Sequence, residues 1–140
     1  MSFDVLGDLN WLAVLVATLA YWILGAIWYA QGVFGRAWMR AGGIEMQEGQ
    51  RPGPAIYIIP LIANFLAVLA LAMLAAATGS TTVSHAIVLG LVVWGGYAVG
   101  HILLGATFDT RPSAGVWFTI NVGYHLVGLV GAALIVTLWD

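Results

Sequence analysis

The sequence predicts an all-α integral membrane protein: a four-helix bundle with both termini on the outer side and a short interfacial helix between spans one and two. Three observations carry that prediction. Of 140 residues, 62% are hydrophobic and 7% are charged, with four Arg, six Asp or Glu and no Lys, where a soluble domain carries about 25% charge. Four segments each supply the roughly 20 mostly apolar residues that a helix needs to cross a bilayer. All four Arg fall in two of the three connections. The same composition excludes intrinsic disorder, which needs polar, charged chains. A net charge of −2 offers no phosphate-neutralising surface, so no nucleic acid is expected as a partner. With no Cys there is no disulfide, thiolate nucleophile or zinc–thiolate site.

The chain reads as one transmembrane domain over residues 1–140, with spans at about 11–31, 55–78, 83–108 and 116–139. The first span follows Asp4 and Asp8, an acidic flank, and is longer than a signal-peptide core, so it is expected to be retained. The first connection, residues 32–54, is the longest. Val33, Phe34, Ala37, Trp38 and Ala41 share one helical face there, and Arg36 and Arg40 lie four apart on another. That pattern fits a short amphipathic helix in the headgroup region. Phe34, Arg36, Trp38 and Arg40 are the expected interfacial anchor; the alternative is a lipid- or partner-binding surface. The stretch from Glu45 to Pro54, with Gly49, Pro52 and Gly53, reads as a surface loop. Gly79-Ser80-Thr81-Thr82 is a tight turn between spans two and three. In the third connection Pro112 and Gly115 stop one helix and Ser113 can start the next. Arg36, Arg40, Arg51 and Arg111 sit on one side of a four-span topology. The positive-inside rule makes that side cytoplasmic and puts the acidic ends, Asp4, Asp8 and Asp140, outside. The expected location is the bacterial inner membrane, multi-pass, with the lipid bilayer as the first partner.

Polar side chains inside hydrocarbon are costly and normally face the bundle interior. At 1.5 Å per residue, Asn64 lies about 13 Å from its span's cytoplasmic end, His101 about 10 Å, and Asn121 and His125 about 8 and 14 Å. They form one layer in the cytoplasmic half, joined by Tyr97 and Tyr124. They also follow helical stripes: Asn121, Tyr124, His125, Gly128 and Ala132 on span four; Gly90, Trp94, Tyr97, His101, Gly105 and Phe108 on span three; Tyr57, Pro60, Asn64 and Ala67 on span two. Span one offers Val14, Thr18, Tyr21, Gly25 and Trp28. A short third connection makes spans three and four antiparallel neighbours, so His101 and His125 are expected to face each other. Three uses of such a layer are open: a hydrogen-bonded packing lock, a ligand or proton site, and a metal or haem clamp. Two His without a third ligand specify no metal geometry, so no metal or cofactor is assigned. Asn64, Tyr97, His101, Asn121, Tyr124 and His125 are the candidate ligand-binding residues.

No carboxylate lies inside a span, which argues against a small proton-coupled multidrug antiporter. The one-sided Arg distribution fits poorly with a dual-topology fluoride-channel dimer. No Gly-x-Ser-x-Gly or His-Glu-x-x-His pattern exists, and no enzymatic activity is expected.

Gly25-Ala26-Ile27-Trp28-Tyr29, then Phe34-Gly35-Arg36-Ala37-Trp38-Met39, and finally Asn121-Val122-Gly123-Tyr124-His125-Leu126 resemble the motifs of the domain-of-unknown-function 1761 family. These are small bacterial four-span membrane proteins. The likeness spans nearly the whole chain, with Ala30-Gln31 where a Ser-Pro pair would be expected. It implies a fold and a topology and no activity. The leading functional expectation is a structural or accessory subunit, homo-oligomeric or part of a larger membrane complex, acting through the Gly-rich third span. The alternative is a binder or conduit for a small ligand, proton or ion at the polar layer.

Overall fold

The computed structural model describes residues 2–46 and 51–139 and contains four helices long and apolar enough to cross a membrane. Residues 47–50 of the expected surface loop, Gly49 among them, and Asp140 lie outside the described residues.

The first span, α1 (Trp11–Trp28), starts at Asn10, whose side-chain oxygen accepts from the Ala13 amide at 3.0 Å. That bond satisfies one of the amides a helix start leaves free. The chain breaks from α1 at Tyr29, and Ala30 is extended (ψ 144°). A π-helical turn, Gln31–Gly35, then leads into α2 (Arg36–Gly42). The first helix is therefore shorter than the apolar run that encodes it. The turn requires a glycine, because a Cβ on Gly35 would overlap the Tyr29 carbonyl. Gly43 ends α2 in the left-handed region, φ 69°, which glycine adopts at no steric cost.

The second span, α3 (Ala55–Thr78), ends at Gly79, again left-handed. The third span, Val83–Phe108, has three parts: α4 (Val83–Val93), a π-helical stretch Trp94–Val99, and α5 (Gly100–Phe108). Thr82 caps it by accepting from the His85 amide. The fourth span, α6 (Ala114–Leu138), is the hub, touching α1, α2, α3, α4 and α5.

Two contacts fix which ends lie together. The Ser113 amide donates to the Ala41 carbonyl at 3.1 Å, so the first and third connections meet. At the other end Asn10 Nδ2 donates to the Trp139 carbonyl at 3.1 Å. All the Arg of the described residues therefore belong to one end of the bundle, and both chain ends to the other.

The core sets small side chains, Ala17, Ala72, Ala98, Ala132 and Ala133, among Val14, Val68, Leu71, Leu129 and the Tyr21 and Tyr124 rings. In lipid no hydrophobic force drives helices together, so close van der Waals contact must do so, and small residues allow it. Gly90 is the tightest crossing point of α4 and α6: a Cβ there would stand 2.8 Å from the Val130 Cα.

Candidate functional site

The polar side chains of three spans converge where α1, α3 and α6 meet, toward the Arg-bearing end. Asn64, on α3 and 5% exposed, donates through Nδ2 to Tyr124 Oη at 3.1 Å. The Tyr124 hydroxyl donates onward to the Tyr21 carbonyl at 3.3 Å. The Tyr21 hydroxyl in turn shares a 2.6 Å hydrogen bond with His125 Nδ1. A second chain runs closer to the Arg-bearing end. There the Tyr29 hydroxyl donates to Asn121 Oδ1 at 2.8 Å, and Asn121 Nδ2 donates to the Trp117 carbonyl at 2.7 Å. The Tyr29 and Tyr124 rings join the two chains, with centroids 5.3 Å apart and planes inclined at 65°.

Glycines make room for these rings. A Cβ on Gly128 would fall inside the Tyr21 ring, and one on Gly25 would lie 3.0 Å from Tyr124 Oη. Indole N–H groups tie the surrounding wall, Trp28 to the Ile120 carbonyl and Trp94 to the Val122 carbonyl.

At the Arg-bearing end the layer adjoins a junction of α2, α5 and α6 that is rich in unmatched donors. Trp38 leans on Tyr29, ring centroids 5.2 Å apart. The Arg111 guanidinium lies 3.7 Å over the Trp117 ring and is paired with Asp109 at 2.7 Å. Trp117 bridges the neighbouring helices: its Cδ1 lies 3.3 Å from a Cβ built on Gly42, and its far edge lies against Gly105. Trp38 Nε1, Trp117 Nε1 and Arg111 Nε are all buried without an acceptor among the described residues. Toward the opposite end the layer is sealed by the apolar set Val14, Ala17, Leu71, Leu129, Ala132 and Ala133. No cluster of three or more His, Asp or Glu side chains forms among the described residues.

Of the six candidate ligand-binding residues, Asn64, Asn121, Tyr124 and His125 come together. Tyr97 and His101 do not. Both are exposed on the outside of the third span, Tyr97 by 69%, and their rings stack on each other at 5.7 Å. The expected meeting of His101 with His125 is corrected: His125 turns to Tyr21 of α1. The reason is the π-helical stretch. A regular helix places Trp94, Tyr97 and His101 on one face. The wider turn instead keeps Trp94, Ala98 and Ile102 inward and rotates Tyr97 and His101 out.

Among the anchor residues, Arg36 and Arg40 are exposed. Phe34 packs on Trp28, ring centroids 4.7 Å apart, while Trp38 and Ala41 turn inward against the bundle. Reading from sequence missed Tyr21 and Tyr29. Tyr21 stands on the α1 stripe with Thr18 and Gly25, but α1 has no charged or amide side chain in its middle to mark that stripe as part of the polar layer. Tyr29 lies beyond the helix end, where helical periodicity carries no information.

A family model described as "Protein of unknown function (DUF1761)" matches residues 12–137. Neither a curated protein nor a solved structure matches the chain.

Proposed function

We propose, for a chain that belongs to the DUF1761 family and so inherits no assigned activity, that it binds a small ligand rich in hydrogen-bond acceptors, in the half of the bilayer nearest its Arg residues. The role is non-enzymatic. The single observation that carries this reading is the group of three buried N–H donors without acceptors among the described residues, Trp38 Nε1, Trp117 Nε1 and Arg111 Nε, next to the Tyr29–Asn121 pair. Each buried donor left unpaired costs about 1–3 kcal/mol. A ligand that brings acceptor oxygens recovers that cost, which is a thermodynamic reason for the site to fill. The Tyr21–His125 and Asn64–Tyr124 bonds form its floor. The apolar seal beyond them favours a binding site over a through-going conduit.

Native mass spectrometry from mild detergent tests this. We expect a retained small molecule that is lost when Asn121→Leu or Trp38→Phe is introduced. A wild-type protein carrying only lipid and detergent would sink the reading.

The Arg distribution supports a cytoplasmic position for the first and third connections, with α2 at the inner interface of the bacterial inner membrane and both ends outside. A reporter fused after Asp140 and one inserted at Gly49 should therefore signal opposite sides. A cytoplasmic signal from the C-terminal fusion would reverse the orientation.

A second reading, self-association, rests on the third span. Only 11% of its apolar window is buried, against 28–33% for the other three. Its outer face holds Tyr97 and His101 beside Gly96 and Gly100, which have open space around them. Two polar rings in hydrocarbon call for partners, and a second copy would supply a donor and an acceptor at matching depth. In the same mass spectra a dimer abolished by Gly100→Leu would support it.

A further inference from the structure

The outer face of α2 carries chemistry that the ligand site does not use. Beside it lies an open hollow of about 420 Å³ lined by Gln31, Arg36, Met39, Arg40 and Ile44. Its two cations differ from Arg111 in one respect. Arg111 is neutralised by Asp109 and covered by its place over Trp117. Arg36 and Arg40 have no acidic partner among the described residues, and both are exposed. Arg40 Nε donates to the Arg36 carbonyl, which draws the Arg40 side chain back along the helix toward Arg36. The hollow is mostly apolar, with Met39 and Ile44 in its lining, and Gln31 adds an amide donor.

The surface is also held in place. Ala41 is 3% exposed against the bundle, its carbonyl accepts from the Ser113 amide, and Gly43 turns the chain away immediately after α2. The π-helical turn at Gln31–Gly35 fixes the other end. The hollow begins at Gln31, three residues beyond the end of the first span at Trp28. Paired guanidiniums recognise phosphate oxygens through fixed forks of N–H donors. An apolar floor beneath them suits an acyl chain.

We propose that Gln31, Arg36, Met39, Arg40 and Ile44 form a binding site for one anionic phospholipid. Its phosphate sits between Arg36 and Arg40, and the upper part of a chain lies on Met39 and Ile44. The site is separate from the ligand site on the inner face of α2 and stands or falls without it.

The test is lipid retention in native mass spectrometry, with phosphatidylglycerol or phosphatidylcholine added to the delipidated full chain in mild detergent. Wild-type protein should keep phosphatidylglycerol about tenfold better than phosphatidylcholine. The Arg36→Gln variant should lose most of that preference and R36Q/R40Q all of it, and Arg51→Gln, which removes the same single charge as Arg36→Gln but outside the hollow, should keep it. Equal retention of the two lipids by the wild type overturns the proposal without reference to any variant. A loss in Arg51→Gln equal to that in Arg36→Gln also overturns it, by reducing the effect to net charge. Competition by inorganic phosphate as strong as that by phosphatidylglycerol would assign the site to a free anion and overturn the lipid.

Discussion

Gly128→Ala is expected to destabilise the bundle by about 3 kcal/mol, the upper end of what overpacking costs, with a lost hydrogen bond added. The new Cβ would occupy the space of the Tyr21 ring, not merely crowd it. That ring cannot move without breaking its contacts. Tyr21 is 2% exposed, lies 5.2 Å from the Tyr124 ring, and is bonded through its hydroxyl to His125. Either α1 and α6 separate or the ring swings out and the Tyr21–His125 bond breaks. Gly131→Ala supplies the control, since nothing lies within 4 Å of a Cβ built there. The exchange should be neutral or mildly stabilising, because alanine is the better helix former by up to about 1 kcal/mol. Unfolding of the two variants in detergent, by heat or denaturant, measures the difference. A Gly128→Ala protein as stable as the parent would mean that Tyr21 is not seated against α6.

The four spans were legible because their signal is length and apolarity, which lipid enforces on every crossing helix. Span four was legible in finer detail. Its stripe of Asn121, Tyr124, His125, Gly128 and Ala132 turns toward the other helices, with Tyr124, Gly128 and Ala132 buried. A regular helix from Ala114 to Leu138 keeps the 3.6-residue period on which such a stripe depends. Span three broke the same method at one place. Gly90 and Trp94 face α6, at Val130 and at the Val122 carbonyl respectively. Beyond Trp94 the wider π-helical turn shifts the phase, and the periodic reading carried Tyr97 and His101 to the wrong side. Nothing local in Trp94-Gly95-Gly96-Tyr97 announces a π-turn, although two adjacent glycines weaken the preference for a regular helix. The donors at Trp38, Trp117 and Arg111 were illegible for another reason. They meet only because α2 folds back onto the start of α6, a tertiary contact between residues far apart in sequence.

The Tyr21–His125 bond gives the second large effect, and its sign pattern separates packing from binding. His125→Phe should cost about 2 kcal/mol, because it leaves the Tyr21 hydroxyl buried beside an apolar ring. Tyr21→Phe should cost less, since it strands a nitrogen of a half-buried ring, whereas His125→Phe strands the hydroxyl of a side chain that is 2% exposed. The double variant should be no worse than His125→Phe alone, because two apolar rings then face each other and no polar group is stranded. The resulting coupling should be about 1 kcal/mol, within the range for hydrogen bonds between membrane helices. Strict additivity of the two single effects would show that the 2.6 Å contact contributes nothing to stability. Ligand retention follows a different logic. The floor of the proposed site needs the hydroxyl and the imidazole themselves, not merely a filled volume. The double variant should therefore match or exceed the stability of the His125→Phe protein and still fail to retain the small molecule. If the layer acted on retention only through packing, retention would follow stability across the three variants, so the divergence of the two is what identifies the layer as part of a binding site.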